Sequence, residues 1–490
     1  MTIDTPFVRR VAKVGVVAAA ALLVTAGVAG ANVPLTQVSA DPFTNATSQH
    51  ATEVEPDTFA DHGTVVATFQ VGRFFNGGAT DIGFARSGDG GATWDPPGFL
   101  PGLTFSSGAD SPYERVSDPS VAYDAAHATW LISSLPLLPN IASPTVLVSR
   151  STDDGRTWGD PVSIPPPVSH SVDLDKNWTV CDNVSAAFRG HCYTELDNFG
   201  EGDRELMSTS TDGGLTWSTP IETAGHDKGL GGQPLVQPDG TVVVPFESLN
   251  QKIAAFLSKD GGASWTKAVT IASTRFHDVG GGLRTSPLPT AEIDGAGNIY
   301  VAWEDCRFRH HCAANDIVFS KSSDGVQWSD PARVPIDTVT SGVDHFIPGL
   351  AVDPASSGAD ADLALTYYFY PDAACSSTCR LQVGYISSPD GGAHWGDPIQ
   401  LAGPMALSEI AQTSQGPMVG DYISTSFSGG RATTVFAVGQ PTPGAFDEAM
   451  YAPTTPLTVA SSAAATRAAS SAGVVRGEET AQAHQALKRN

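Results

Sequence analysis

Mostly apolar runs of six to eight residues recur along the chain, each bounded by turn-forming residues. They are 64–71 (TVVATFQV), 129–134 (TWLISS), 241–246 (TVVVPF), 298–303 (NIYVAW) and 362–369 (DLALTYYF). Strict alternation would mark a strand with one wet face, whereas unbroken runs mark strands covered on both faces. Around each run the same order returns: a short strand before it, a third strand after it, a Gly-rich turn, and a fourth strand beyond a Pro-containing segment. The pattern predicts repeated antiparallel units stacked on one another. Fifty Gly and 35 Pro, without long helical periodicity, agree with an all-β chain.

The Gly-rich turn is one motif written six times. It reads SGDGGATW at 87–94, STDDGRTW at 151–158, STDGGLTW at 210–217 and SKDGGASW at 258–265. A copy one residue shorter follows at 322–328 (SSDGVQW), and the last is SPDGGAHW at 388–395. Trp94 and Trp395 are 301 positions apart, five intervals of about 60. In such a turn Asp accepts hydrogen bonds from backbone N–H groups just ahead, and Gly supplies φ > 0. The closing Trp is expected to wedge beside the next sheet. Segments 420–426, 432–439 and 447–452 begin a seventh unit that lacks the motif. Its fourth strand is expected from residues 41–52, which would close the array and remove free edges.

Six serial copies resemble the Asp-box (bacterial neuraminidase) repeat of sialidase-like β-propellers, over about residues 53–452. The resemblance implies an all-β propeller of six to seven four-stranded blades, with seven favoured. It also implies that the boxes are scaffold on one face and that ligands meet the opposite face.

Composition sets the address and the partners. With 27 basic and 52 acidic residues the net charge is −25, which excludes a nucleic-acid partner. An anionic ligand would have to be gripped by a few local arginines. Residues 1–40 read as a secretory signal: Arg9, Arg10 and Lys13, then an apolar stretch over 14–28, then small-residue cleavage sites at 29–31 and 38–40. The apolar stretch is shorter than the roughly 20 residues of a membrane span, so no stable anchor is expected. We expect a secreted monomer with the repeat domain over 41–452. Residues 453–490 form an Ala/Ser-rich tail too poor in apolar groups to order itself.

The six cysteines fall as close pairs, Cys181 with Cys192, Cys306 with Cys312, and Cys375 with Cys379. Export favours three local disulfides. A zinc site from Cys306, His310, His311 and Cys312 is the alternative. No cofactor is expected; a structural calcium would suit the carboxylate-rich loops.

On the face implied for ligands, the loops between units carry Arg115, Asp118, Asp175, Lys176, Gln233, Arg284, Asp344, His345, Asp421 and Tyr422. Those between second and third strands carry Asp197, Asn198, Glu201, Glu247, Glu304, Asp305, Arg307 and Arg380. Singly, each acid reads as a turn cap. The resemblance gives them sialidase roles. Arg115, Arg284 and either Arg307 or Arg380 would clamp a carboxylate through guanidinium forks. Tyr422 would attack the anomeric carbon with Glu304 or Glu247 as helper, and Asp118 or Asp175 would serve as acid and base. The chain lacks the early Phe/Tyr-Arg-Ile-Pro motif of sialidases, for which Arg73 and Arg115 are stand-ins. The expected function is therefore a secreted exo-α-sialidase type of glycoside hydrolase, with a non-catalytic propeller binding glycan or protein as the alternative. Convergence of at least two of the four arginines on one anion distinguishes them.

Overall fold

A computed structural model describes residues 33–108 and 110–461. Strands dominate it, and among the described residues the only helical turns are five short 3-10 turns. The strands form seven consecutive antiparallel units. The first runs Glu53–Asp61, Thr64–Arg73, Ala79–Ser87 and Gly98–Phe99, and the sixth Asp344–Val352, Leu363–Tyr370, Arg380–Ser388 and Ile399–Ala406. A single pair, Ala79 with Val116, joins units one and two. The predicted apolar runs are the second strands, within three residues at either end. Every residue of Thr64–Arg73 and of Ile299–Asp305 is buried.

Each Gly-rich turn joins a third strand to a fourth, as expected. In the first copy the Ser87 hydroxyl donates to Asp89 at 2.8 Å and accepts the Gly91 N–H at 2.8 Å. Thr93 closes the loop, its N–H and hydroxyl both donating to Asp89. The Ser151, Ser210, Ser258 and Ser388 copies repeat this geometry. The short copy satisfies Asp324 with the Val326 and Gln327 N–H groups instead.

The closing tryptophans pack on the preceding unit, not the next. Trp158 lies 5.7 Å from Phe84, Trp265 6.2 Å from Tyr193, and Trp395 5.9 Å from Phe319. The turn brings the indole back across its own sheet toward the neighbour already made. The first turn accordingly docks on the last unit, where the Thr433 hydroxyl donates to the Gly90 carbonyl at 2.9 Å. Thr58 also shares hydroxyl bonds with Ser424 and Ser426.

The strand completing the seventh unit is Leu35–Gln37, paired antiparallel with Tyr451–Pro453, and not residues 41–52. Leu35 and Val38 are apolar and buried there, whereas the polar 41–52 stretch folds around Asp41, whose carboxylate accepts the Phe43 and Ala51 N–H groups. The described fold thus starts before the expected boundary at 41. It also passes 452, since Leu457–Thr458 pairs with Arg431 and Ala432. A cut at 38–40 would remove the closing strand; the site at 29–31 and most of the tail lie outside the described residues. All three cysteine pairs are disulfides. With Cys306 bonded to Cys312, the zinc alternative loses its thiolates.

Candidate functional site

Register places the start of each first strand beside the end of the second. Arg115 faces Leu137, Leu174 faces Asn198, and Asp344 faces Tyr370. The first-strand starts and the loops between second and third strands therefore share one end of the molecule, opposite the Gly-rich turns. At this end four first strands are bulged: between Val54 and Asp57, Ser117 and Ser120, Asp175 and Asn177, and Phe346 and Pro348. Each bulge holds a non-glycine residue in the left-handed region: Glu55 (φ 56), Asp118 (φ 48), Lys176 (φ 38) and Ile347 (φ 49). Such residues cost about 1–3 kcal/mol each and re-aim their side chains.

Three of the four bulged residues, Glu55, Asp118 and Lys176, join one buried charged group. The Lys176 ammonium stands 3.6 Å from Asp118 and 3.7 Å from the centre of the Tyr422 ring. Trp178 packs edge-on to that ring at 5.2 Å, and the Tyr422 hydroxyl donates to the Pro119 carbonyl at 3.0 Å. Arg284 grips Asp421 with two arms, its Nε at 2.7 Å from Oδ1 and its Nη2 on Oδ2. Arg73 donates to Gln70 at 3.0 Å, and the Gln70 amide donates to Glu55 and to Ser117. The Arg73 Nε is buried without a partner.

Burial and its charged neighbours set the protonation of this group. Burial raises the Glu55 carboxyl, and Asp118 and Asp421 raise it further. Asp175 is raised by burial and by Asp118. Burial would also raise Asp421, but the Arg284 guanidinium outweighs it and holds that carboxyl below its ordinary range. The Tyr422 phenol is pushed well above 10 by burial, then by Glu55 and Asp118.

The sequence-predicted residues divide. Asp118, Asp175, Arg284 and Tyr422 meet in this group. Arg115 lies apart, over the Phe74 ring at 4.2 Å and bonded to Asn76 and Glu114. Arg307 is held by Asp305 and the Ser273 carbonyl, and Arg380 is exposed at the first residue of its strand. The expected clamp from these four arginines is not assembled: Arg115, Arg284 and Arg307 are each held by local acceptors, and Arg380 stands exposed away from them. Glu304 is not beside Tyr422 either; its Oε2 accepts the Ile347 N–H at 2.8 Å, with Asp344 and Glu247 as charged neighbours. The glutamate that does face Tyr422 is Glu55, which the sequence reading passed over. Its signal was the acid-proline step Glu55-Pro56, which repeats Asp118-Pro119. A surface hollow of about 430 Å³ beside Asp260 lies at the opposite end and contains none of these groups.

No family model matches the chain. It is 30% identical over 159 residues to the photosystem II assembly lipoprotein Ycf48 of Synechococcus sp. (strain CC9902), covering 32% of this chain and 40% of that protein. It is 28% identical over 99 residues to a sialidase of Bacteroides fragilis (strain YCH46), covering 17% and 18% respectively. The chain thus spans less than half the length of these curated relatives. Similar solved structures include the Hadza microbial sialidase Hz136, at 16% identity and TM-score 0.43 over 84% of this chain and 66% of that one. They also include the NanB sialidase of Streptococcus pneumoniae, at 12% identity and TM-score 0.44 over 87% and 71%. A protein of unknown function from Dyadobacter fermentans is 16% identical with TM-score 0.47 over 72% and 99%. Similarity at this level leaves the charged group at the first-strand starts to be read from its own geometry, in which Arg284 and Lys176 are already matched by acids of the same chain.

Proposed function

We propose that the protein is a secreted, seven-bladed β-propeller of the sialidase-like kind, closed by Leu35–Gln37, that binds glycan at the end carrying Asp118 and Tyr422 without hydrolysing it. The observation that carries this reading is double. Arg284 has spent its fork on Asp421, and the Tyr422 hydroxyl is bonded to a backbone carbonyl rather than to a base. Around this polar floor the second-to-third-strand loops expose Phe75 (57%), Phe199 (60%) and Phe308 (38%). Exposed aromatic rings at a rim are common marks of a binding surface, and they offer flat faces to the C–H faces of sugar rings. The three disulfides suit an oxidising compartment. Among the described residues no helix is long and apolar enough to cross a membrane.

Hydrolysis is the second reading, and one observation favours it. Arg73 and Arg284 are close enough to act on each other's charge, with Glu55, Asp118 and Asp421 among them. A substrate carboxylate displacing Asp421 would find two guanidinium groups. The test is turnover of a fluorogenic sialoside by purified protein, run beside a glycan array. Glycan binding that weakens in Phe199→Ala, with no turnover, supports the binding reading. Turnover that is lost in Arg284→Ala and Tyr422→Phe overturns it.

A further inference from the structure

Other fully buried carboxylates keep at least one oxygen bonded. Asp81 accepts the Ile82 N–H, Glu304 the Ile347 N–H and Glu448 the Ala411 N–H. Glu195, Asp197 and Glu205 differ. All three are 0% exposed, and their six buried oxygens meet no hydrogen-bond donor outside the group, the carboxyls lying within reach only of one another. Strand register brings them together: Glu195 and Asp197 project from one face of Cys192–Asn198, and Glu205 stands directly across from Asp197. One ligand oxygen from each lies within 4.8 Å of the others.

The neighbouring unit sharpens the anomaly. Polar side chains on other second strands reach across to the next unit: Gln70 bonds Ser117, Ser133 accepts from Asn177, and Glu304 takes the Ile347 N–H. Glu195 instead faces Gly232, where an added Cβ would stand 2.6 Å from its Cγ, and no donor answers it. The nearest cation is Lys176, whose ammonium is 3.6 Å from Asp118, leaving one positive charge among several acids. Two other acid groups of the described residues are already accounted for. Cys181 and Cys192 beside Asp124 are bonded to each other, and Asp316 and Asp337 are paired with Arg309 and Arg333.

Buried carboxylates without partners are stable only if protonated, paired or bound to a metal. We infer that Glu195, Asp197 and Glu205 hold one calcium ion, which ties the second and third strands of unit three together beside Gly232. Three carboxylates, each able to bind through one or both oxygens, supply a large share of the six to eight hard oxygens calcium takes, whereas magnesium keeps several waters.

Chelator-stripped full-length protein titrated with calcium should bind one ion per chain by calorimetry. Its melting temperature should rise by roughly 3 °C at saturation. Glu205→Gln should weaken binding at least tenfold, whereas Glu247→Gln, a half-buried acid outside the group, should leave it unchanged. Should Glu205→Gln not fold, terbium luminescence of the unmutated protein decides. Trp178 is directly across from Glu195, so excitation should sensitise the ion, calcium should quench the signal, and Trp178→Phe should lose most of it. No binding up to on the order of 5 mM calcium, or no sensitised terbium, overturns the inference. So does an equal response in Glu205→Gln, which would reflect diffuse attraction to a net charge of −25.

Discussion

Arg284 meets Asp421 through both arms of its guanidinium, across 137 residues of sequence. Both side chains are mostly buried, at 25% and 13% exposure. Removing one partner strands the other charge, whereas removing both does not. Asp421→Asn should destabilise the protein by roughly 3 kcal/mol. Adding Arg284→Ala should recover part of that loss. Urea melts of the two single variants and the double variant check the coupling.

Stability should rise as the solution is acidified from about pH 8 towards about pH 5. Burial raises Glu53 to about 8, Asp57 to about 7 and Glu292 to about 8, from ordinary values of 4.5, 3.8 and 4.5. Between those limits the native state holds protons that the unfolded chain has lost. Raising the pH through this window therefore removes stability. The turn aspartates act oppositely: the Thr157 hydroxyl holds Asp153 down to about 2, so its contribution fades only as pH falls below about 4. Melting temperatures in metal-free buffer should pass through a maximum near pH 5, and Glu53→Gln should flatten the alkaline limb.

The first Gly-rich turn should be highly sensitive to a small side chain. Gly91 sits at φ 90, and a Cβ there would lie 2.3 Å from the Thr433 hydroxyl of the last unit. Gly91→Ala should cost about 3 kcal/mol, combining left-handed strain with overlap. Ser87→Ala, which loses the acceptor of the Gly91 N–H, should cost about 1 kcal/mol. Denaturant midpoints of the two variants give the ratio.

A mature chain beginning at Asn32 should be more stable than one beginning at Asp41. The shorter chain loses the pairing of Leu35–Gln37 and the burial of Leu35 and Val38, together about 3 kcal/mol of apolar burial alone. N-terminal sequencing of the protein recovered from its native source, and melts of the two forms, test this.

The local parts of this fold were legible in the sequence. Apolar runs gave the second strands, Ser, Asp and Gly spacing gave the turns, and close cysteines gave the disulfides, because each depends on residues within a few positions. The site was only partly legible. Asp118, Asp175, Arg284 and Tyr422 stood out by chemistry, but their convergence depends on contacts such as Tyr422 to Pro119, 303 residues apart. The bulges at Asp118 and Lys176 adopt φ > 0 without a glycine to announce it. Arginine partners were illegible too, since Arg307 turns to Asp305, two residues away, rather than to the centre. A three-residue strand at Leu35–Gln37 is too short for any periodicity to reveal.

That strand also sets an order of events. Leu35–Gln37 leaves the ribosome more than four hundred positions before its partner segment, Glu448–Pro453. Six units can pack in sequence as they emerge, each turn tryptophan settling on the neighbour already present. The seventh cannot be completed until Glu448–Pro453 has been made, so closure comes last and has the longest loop to close. Until then, Glu448–Pro453 is an unpaired edge open to another chain.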